Sequence, residues 1–145
     1  MKEIKQATPP MKVVVKHLEK LKFEGENSDG KKIVMDAKPP FGDGEAPSPV
    51  ELLLMALGGC TAMDVISILN KKRLKVEDFR VEVEGKRKET HPKVFTEIKI
   101  HYHFKGDLPQ KAVEQAIRLS MEKYCSVSAM LKQSAKVEWD YTIEK

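Results

Sequence analysis

Cysteine is scarce in this sequence of 145 residues, which contains two. Cys60 and Cys125 lie far apart, no CxxC occurs, and the four histidines form no cluster beyond the alternating pair His101 and His103. Because metal sites usually show short ligand spacings, the sequence predicts no metal site, and nothing in it indicates a bound cofactor. Composition leaves two interpretations of the thiols open: inert core residues, or a pair that meets in space for redox work.

The sequence also lacks low-complexity tracts and long blocks of one charge. Hydrophobic residues make up 41% and charged residues 33%, which is typical of a folded protein rather than a disordered one. The net charge is +4, but the 26 basic and 22 acidic residues alternate, as in "KVEDFRVEVEGKRKE". This alternation predicts a solvated face and no nucleic-acid partner. The length predicts one domain over residues 1–145.

The sequence shows no pattern of a targeting segment at its start. The start, "MKEIKQATPPMKVVVKHLEK", has only a short apolar run and no small-residue cleavage site after it, so we expect a cytoplasmic protein. Residues 50–69 are long enough to span a bilayer, but they include Glu51 and Asp64, so we expect a buried core helix and no membrane partner. In the cytosol, a permanent structural disulfide is not expected.

The first third of the chain predicts a β-meander, with a turn at the "SDG" of residues 28–30. Residues 38–49 hold four prolines and two glycines and therefore predict an irregular loop. A long helix should follow, because Ser48 suits the N-cap, Pro49 the first helical position and Glu51 the third position of a capping box. We expect this helix to reach about Lys72.

The long helix carries two unusual features. Residues 50–57 are apolar on nearly every side, which predicts packing around most of the circumference and hence a partner subunit. Gly58 and Gly59 each cost about 1 kcal/mol relative to alanine within a helix. Their presence favours close approach of another helix backbone beside Cys60; the alternative is that they only ease a helix crossing.

The remainder predicts two long alternating strands, "KVEDFRVEVEGKRKE" and "KVFTEIKIHYHFKG", with His101 and His103 solvated on the polar face rather than acting as ligands. A second helix should run from Pro109 to near Lys123, followed by a short helix starting near Ser126 and a last strand around residues 137–143. Cys125 would precede the short helix, where the positive helix end lowers a thiol pKa.

Two stretches carry a resemblance to a known family. "SPVELLLMALGGCTAMDVISIL" and, some 65 positions later, "KYCSVSAML", together with the predicted order of elements, resemble the OsmC/Ohr family of thiol peroxidases. The similarity extends over nearly the whole chain from about Leu21. It is greatest to the YhfA-like branch, for which "APSP", "GGC" and "EKYCSV" are typical.

The resemblance implies an α+β fold in which antiparallel sheets pack around a long central helix, in an intertwined homodimer. It implies that Cys60 attacks an organic hydroperoxide and becomes a sulfenic acid, and that Cys125 then forms a disulfide with it. A dithiol reductant of the lipoyl type would restore both thiols. The implied role is an antioxidant one in the response to oxidative stress.

One feature departs from the family pattern. In the well-studied peroxidases a glutamate follows the helix-opening proline and pairs with a loop arginine, whereas here Val50 follows Pro49 and the loop contains no arginine. Three hypotheses therefore stay open. The protein reduces hydroperoxides or a related small apolar electrophile; it senses redox state or binds a small molecule with little turnover; or both thiols are core residues of a structural dimer.

Overall fold

The computed structural model describes residues 9–145; the first part of the segment tested for a targeting signal, residues 1–8, lies outside the described residues. The chain divides into two compact units, one up to Leu52 and one from Leu53 onward. Each unit has its own three-stranded sheet. The mixed α+β architecture that the sequence predicted is confirmed.

The first unit contains the predicted β-meander. Strands β1 (Val13–Glu19), β2 (Lys22–Asn27) and β3 (Lys32–Met35) pair antiparallel in the order β1-β2-β3. All seven residues of β1 are exposed. The apolar side chains on this strand are therefore uncovered on both of its faces.

The predicted irregular loop occupies residues 36–48 and is organised by Asp36, which is 2% exposed. Its carboxylate accepts hydrogen bonds from the backbone N–H groups of Ala37 and Glu45, at 2.7 and 3.2 Å. Burial opposes the charged form, but these backbone donors outweigh it and hold the pKa of Asp36 below its usual value. At Gly42 a β-carbon would lie 2.4 Å from the Ala37 carbonyl oxygen, so the loop needs glycine there.

Helix α1 (Pro49–Lys71) begins and ends within a residue of the prediction. Its capping box is confirmed: the Ser48 N–H donates to Glu51 Oε1 at 3.0 Å, and the Glu51 N–H donates to Ser48 Oγ at 3.2 Å. These two bonds satisfy backbone groups that the first turn of a helix leaves unpaired.

Within one chain, helix α1 is buried along one side, so packing around most of its circumference stays a prediction that depends on a partner subunit. Its buried residues repeat every three to four positions and form a single stripe: Leu57, Gly58, Thr61, Val65 and Leu69. Met63 is 76% exposed and Met55 55% exposed on other sides. The helix is also apolar and long enough to cross a membrane by length and composition, a property shared by core helices of soluble proteins.

The expectation that the glycine pair admits a second helix backbone is wrong for Gly58. A β-carbon at Gly58 would lie 3.1 Å from Cγ2 of Val83, which belongs to a strand. Gly59 has no neighbour within 4 Å of a β-carbon position among the described residues. Within this chain, Gly58 therefore allows close packing of the helix on a sheet, whereas Gly59 faces open space.

The second unit is built on strands β4 (Asp78–Arg87), β5 (Phe95–Lys105) and β6 (Lys136–Glu144), in the order β4-β5-β6. Strand β5 pairs antiparallel with β4 but parallel with β6, so this sheet is mixed and not antiparallel throughout as expected. It is the central strand of this sheet, and one of its faces is buried by Ile98, Ile100, Tyr102 and Phe104. The predicted alternation of apolar and charged faces is confirmed.

His101 and His103 are less solvated than expected. Their side chains are 29% and 27% exposed, because residues on the flanking strands cover them. His101 Nδ1 contacts the carboxylate of Asp140, and His103 Nε2 lies 3.2 Å from Glu82 Oε1.

Helix α2 (Gln110–Leu119) is shorter than predicted, because a π-helical turn (Ser120–Tyr124) replaces its expected last turn. The short helix α3 (Ser126–Leu131) begins where it was predicted. The π-helical turn could not be read from apolar periodicity, since it shifts the register by one residue without changing the residue types. Such turns occur frequently at functional sites.

Candidate active site

Cys60 and Cys125 meet in the second unit. The two Sγ atoms and one carboxylate oxygen of Asp64 all lie within 4.8 Å of one another. Both thiols are free; Cys60 is half-buried, whereas Cys125 is only 3% exposed. The fold therefore brings a half-buried thiol and a buried one close together.

Helix α1 supplies two of these groups. Cys60 and Asp64 are four residues apart, so both side chains project from the same face of the helix. In the sequence, Asp64 argued only against a membrane span. Its four-residue spacing from Cys60 in a largely apolar helix is the signal that could have placed it at the site.

The third group is positioned by the chain reversal after α2. The Cys125 N–H donates to the Ser120 carbonyl oxygen at 2.8 Å, which closes the π-helical turn. Cys125 then has extended backbone angles and is the N-cap of α3. Its Sγ accepts a hydrogen bond from the Ser128 N–H at 3.4 Å.

The expectation that the start of α3 lowers the Cys125 pKa is wrong. Burial raises the pKa of Cys125 to about 11, with a smaller contribution in the same direction from the Cys60 thiol. The Ser128 N–H acts in the opposite direction and is outweighed. At neutral pH Cys125 is therefore a protonated thiol in the reduced protein.

A chain of buried hydroxyl groups leads to Asp64. Ser120 Oγ donates to Asp64 Oδ2 at 2.9 Å, Thr61 Oγ1 lies 2.7 Å from Ser120 Oγ, and the Tyr102 hydroxyl lies 2.7 Å from Thr61 Oγ1. Because a carboxylate only accepts, the Ser120 proton is directed to Asp64, so Thr61 donates to Ser120 and Tyr102 donates to Thr61. All donors in the chain thus point towards the carboxylate.

The hydroxyl chain is fixed in a protonated state. Tyr102, Thr61 and Ser120 are each fully buried. Burial raises the pKa of Tyr102 to about 12, although its hydrogen bond with Thr61 acts in the opposite direction. These three hydroxyl groups could not be assigned to the site from the sequence, because their hydrogen-bond partners are distant along the chain.

Glu51, which the sequence offered as a displaced substitute for the family's glutamate, is engaged at the helix start instead. The backbone N–H and side chain of Ser48 hold the pKa of Glu51 below its usual value. Two carboxylates near the helix thus differ in their partners: Glu51 caps α1, and Asp64 lies beside the thiols.

Two of the surface grooves on the second unit differ in the character of their lining. A groove of about 450 Å³ on the outer face of the sheet is lined mainly by charged residues and includes neither cysteine. An apolar groove of about 350 Å³ runs along Gly58 and Gly59 of α1 and includes Phe79 and Val83 of β4. The apolar groove suits a hydrophobic occupant. The charged groove is not lined by either cysteine.

Comparison with known proteins defines the class. The family model described as OsmC-like protein matches residues 42–140, and the chain belongs to this family. It is similar to Protein YhfA of Escherichia coli K12, with 45% identity over 134 residues, which cover 92% of this chain and 98% of YhfA. The resemblance read from the cysteine motifs is thereby confirmed.

Solved structures show the same fold. A protein from Aquifex aeolicus VF5 matches with a TM-score of 0.80 and 38% identity, over 95% of this chain and 100% of that one. The organic hydroperoxide resistance protein OhrB of Bacillus subtilis matches with a TM-score of 0.62 and 14% identity, over 94% and 100%. The second likeness concerns the fold alone.

Proposed function

We propose that this protein is a thiol-dependent peroxidase that reduces organic hydroperoxides with Cys60 and Cys125. The observation that carries the proposal is the convergence of both sulfur atoms and the Asp64 carboxylate within 4.8 Å. The printed name of OhrB and the family membership support the substrate class.

The exposure of the thiols supports the order in which the proposal has them react. Cys60 is the half-buried one and meets the peroxide, whereas Cys125 is buried and resolves the product. The Cys60 thiolate attacks one peroxide oxygen, the O–O bond breaks, and the alcohol leaves, so that Cys60 becomes a sulfenic acid. Cys125 then attacks the Cys60 sulfur, water leaves, and a disulfide forms.

Asp64 takes the place of the family's missing glutamate and arginine pair in this mechanism. It accepts the Cys60 proton as the thiolate forms and returns it to the alkoxide that leaves after O–O cleavage. The hydroxyl chain from Tyr102 holds the carboxylate in position through Ser120. A dithiol of the lipoyl type then donates two electrons and two protons and regenerates both thiols.

The same proposal includes a cytoplasmic homodimer in which residues 1–145 act as one OsmC-like domain. The exposed apolar residues support a partner subunit: Val13, Val14 and Val15 of β1 are 67%, 53% and 55% exposed, and Met63 of α1 is 76% exposed. Isolated monomers seldom leave so much apolar surface uncovered.

A second function has its own support. Val50 follows Pro49, residues 36–48 contain no arginine, and the pKa of Cys125 is raised to about 11. These features favour a redox sensor or small-molecule binder in which the disulfide forms once and is reduced slowly.

Steady-state turnover separates the two functions. The reduced protein is given cumene hydroperoxide and dihydrolipoamide, and the Cys60→Ser and Cys125→Ser variants are compared with it. Turnover that is lost in Cys60→Ser supports the peroxidase. A single stoichiometric oxidation without turnover favours the sensor, and equal rates in Cys60→Ser would contradict both.

A further inference from the structure

The cysteine pair and Asp64, to which the proposed function gives peroxide chemistry, are also a set of metal-ligand atoms. Two sulfur atoms and one carboxylate oxygen lie within 4.8 Å of one another. Zinc binds thiolate sulfur at about 2.3 Å and carboxylate oxygen at about 2.0–2.2 Å, so tetrahedral ligand atoms lie roughly 3.3–3.8 Å apart. Movements of about one ångström would therefore place all three donors around one ion.

The chemistry of the donors selects the kind of ion. Thiolates are soft ligands that favour Zn²⁺ over Mg²⁺ or Ca²⁺, which prefer oxygen. Among residues 9–145, no lysine or arginine forms an ion pair with Asp64. The carboxylate thus lacks a protein cation and is available to a metal ion.

The supporting residues resemble the outer shell of a metal site. Ser120 donates to Asp64 Oδ2, and the buried hydroxyls of Thr61 and Tyr102 fix Ser120 in turn. Such partners orient ligating carboxylates in known metal sites. Cys60 and Asp64 are held on one helix, and Cys125 is held by the hydrogen bond that its N–H donates and by those that its carbonyl oxygen and Sγ accept.

We propose that the reduced protein binds one Zn²⁺ ion through Cys60 Sγ, Cys125 Sγ and Asp64, with water at the fourth position. Each thiol releases its proton to solvent as its Zn–S bond forms. The ion occupies the sulfur that would attack a peroxide, so zinc and hydroperoxide exclude each other at Cys60. The disulfide form has no thiolates and does not bind the ion.

Binding is tested on the full chain by competition with a chromophoric zinc chelator. We expect one ion per reduced chain and none after diamide has oxidised the two cysteines. Asp64→Asn should weaken zinc affinity by about tenfold or more, in the range that ligand-shell changes typically cost. The matched control Asp107→Asn, outside the site, should bind like the unchanged protein.

Substitution with Co²⁺ reports the ligands directly. The reduced protein should show thiolate-to-cobalt charge-transfer absorption together with tetrahedral d–d bands. Cys60→Ser and Cys125→Ser should each lose about half of the charge-transfer intensity, one of two sulfurs. Circular dichroism checks that each variant is folded.

Several outcomes would overturn the proposal. They are zinc binding that persists in the oxidised protein, equal affinities of Asp64→Asn and Asp107→Asn, or loss of binding in His101→Ala, which would place the ion on the outer face of the sheet. Zinc binding is measured without peroxide, so its failure leaves the peroxidase intact, and a missing turnover leaves the metal site intact.

Discussion

At the scale of single residues, Glu51 caps α1, whereas the proposed mechanism gives the proton transfer to Asp64. Glu51→Gln should preserve turnover and the midpoint of thermal unfolding, because glutamine accepts the same hydrogen bond from the Ser48 N–H. Activity assays and calorimetry measure both quantities. A tenfold loss of rate, about 1.4 kcal/mol in the barrier, at unchanged stability would assign Glu51 to the reaction instead.

Cys125 gives a residue-scale prediction about pH. Its pKa is raised to about 11 in the folded protein, above the value of about 8.5 expected for an unfolded chain. The folded state therefore holds the proton more tightly, and this contribution to stability is fully present below about pH 8.5 and is lost as pH rises through about 11.

The check is urea unfolding of the reduced protein and of Cys125→Ser across that range of pH. The stability advantage of the unchanged protein should shrink by at most about 1.4 kcal/mol per pH unit. An advantage that grows with pH would show that the thiolate, and not the thiol, is favoured in the fold.

At the scale of elements, the capping box and the alternation of strands were readable because each depends on neighbours in sequence. The start of α1, the irregular loop and the two faces of β5 all follow from such local rules. The π-helical turn and the raised pKa of Cys125 were not readable, because both depend on which groups the folded chain brings together. For the same reason, the position of Asp64 beside the two thiols could not be predicted from the sequence.

The glycine pair of α1 gives the prediction at this scale. Gly59→Ala should raise the free energy of unfolding by about 1 kcal/mol, because the helix gains propensity and the new methyl group meets nothing in this chain. Gly58→Ala should gain less, because its β-carbon lies 3.1 Å from Val83. A destabilising Gly59→Ala with weakened self-association would place a partner subunit against Gly59.

At the scale of the whole molecule, the proposed homodimer explains why so many apolar side chains are exposed on β1 and α1. We expect sedimentation equilibrium to show a dimer at micromolar concentration. Met63→Lys should shift the equilibrium towards monomer, because it adds a charge to a helix face that is open in one chain. A stable, folded monomer of the unchanged protein would contradict the homodimer.

The central claim is that Cys60 and Cys125 act on each other. The most direct test treats the reduced protein with one equivalent of cumene hydroperoxide and maps its peptides by mass spectrometry under non-reducing conditions. We predict a Cys60–Cys125 disulfide in a protein that remains folded, because the two sulfur atoms already lie within 4.8 Å. Oxidation of Cys60 to the sulfinic acid with Cys125 unchanged would contradict it.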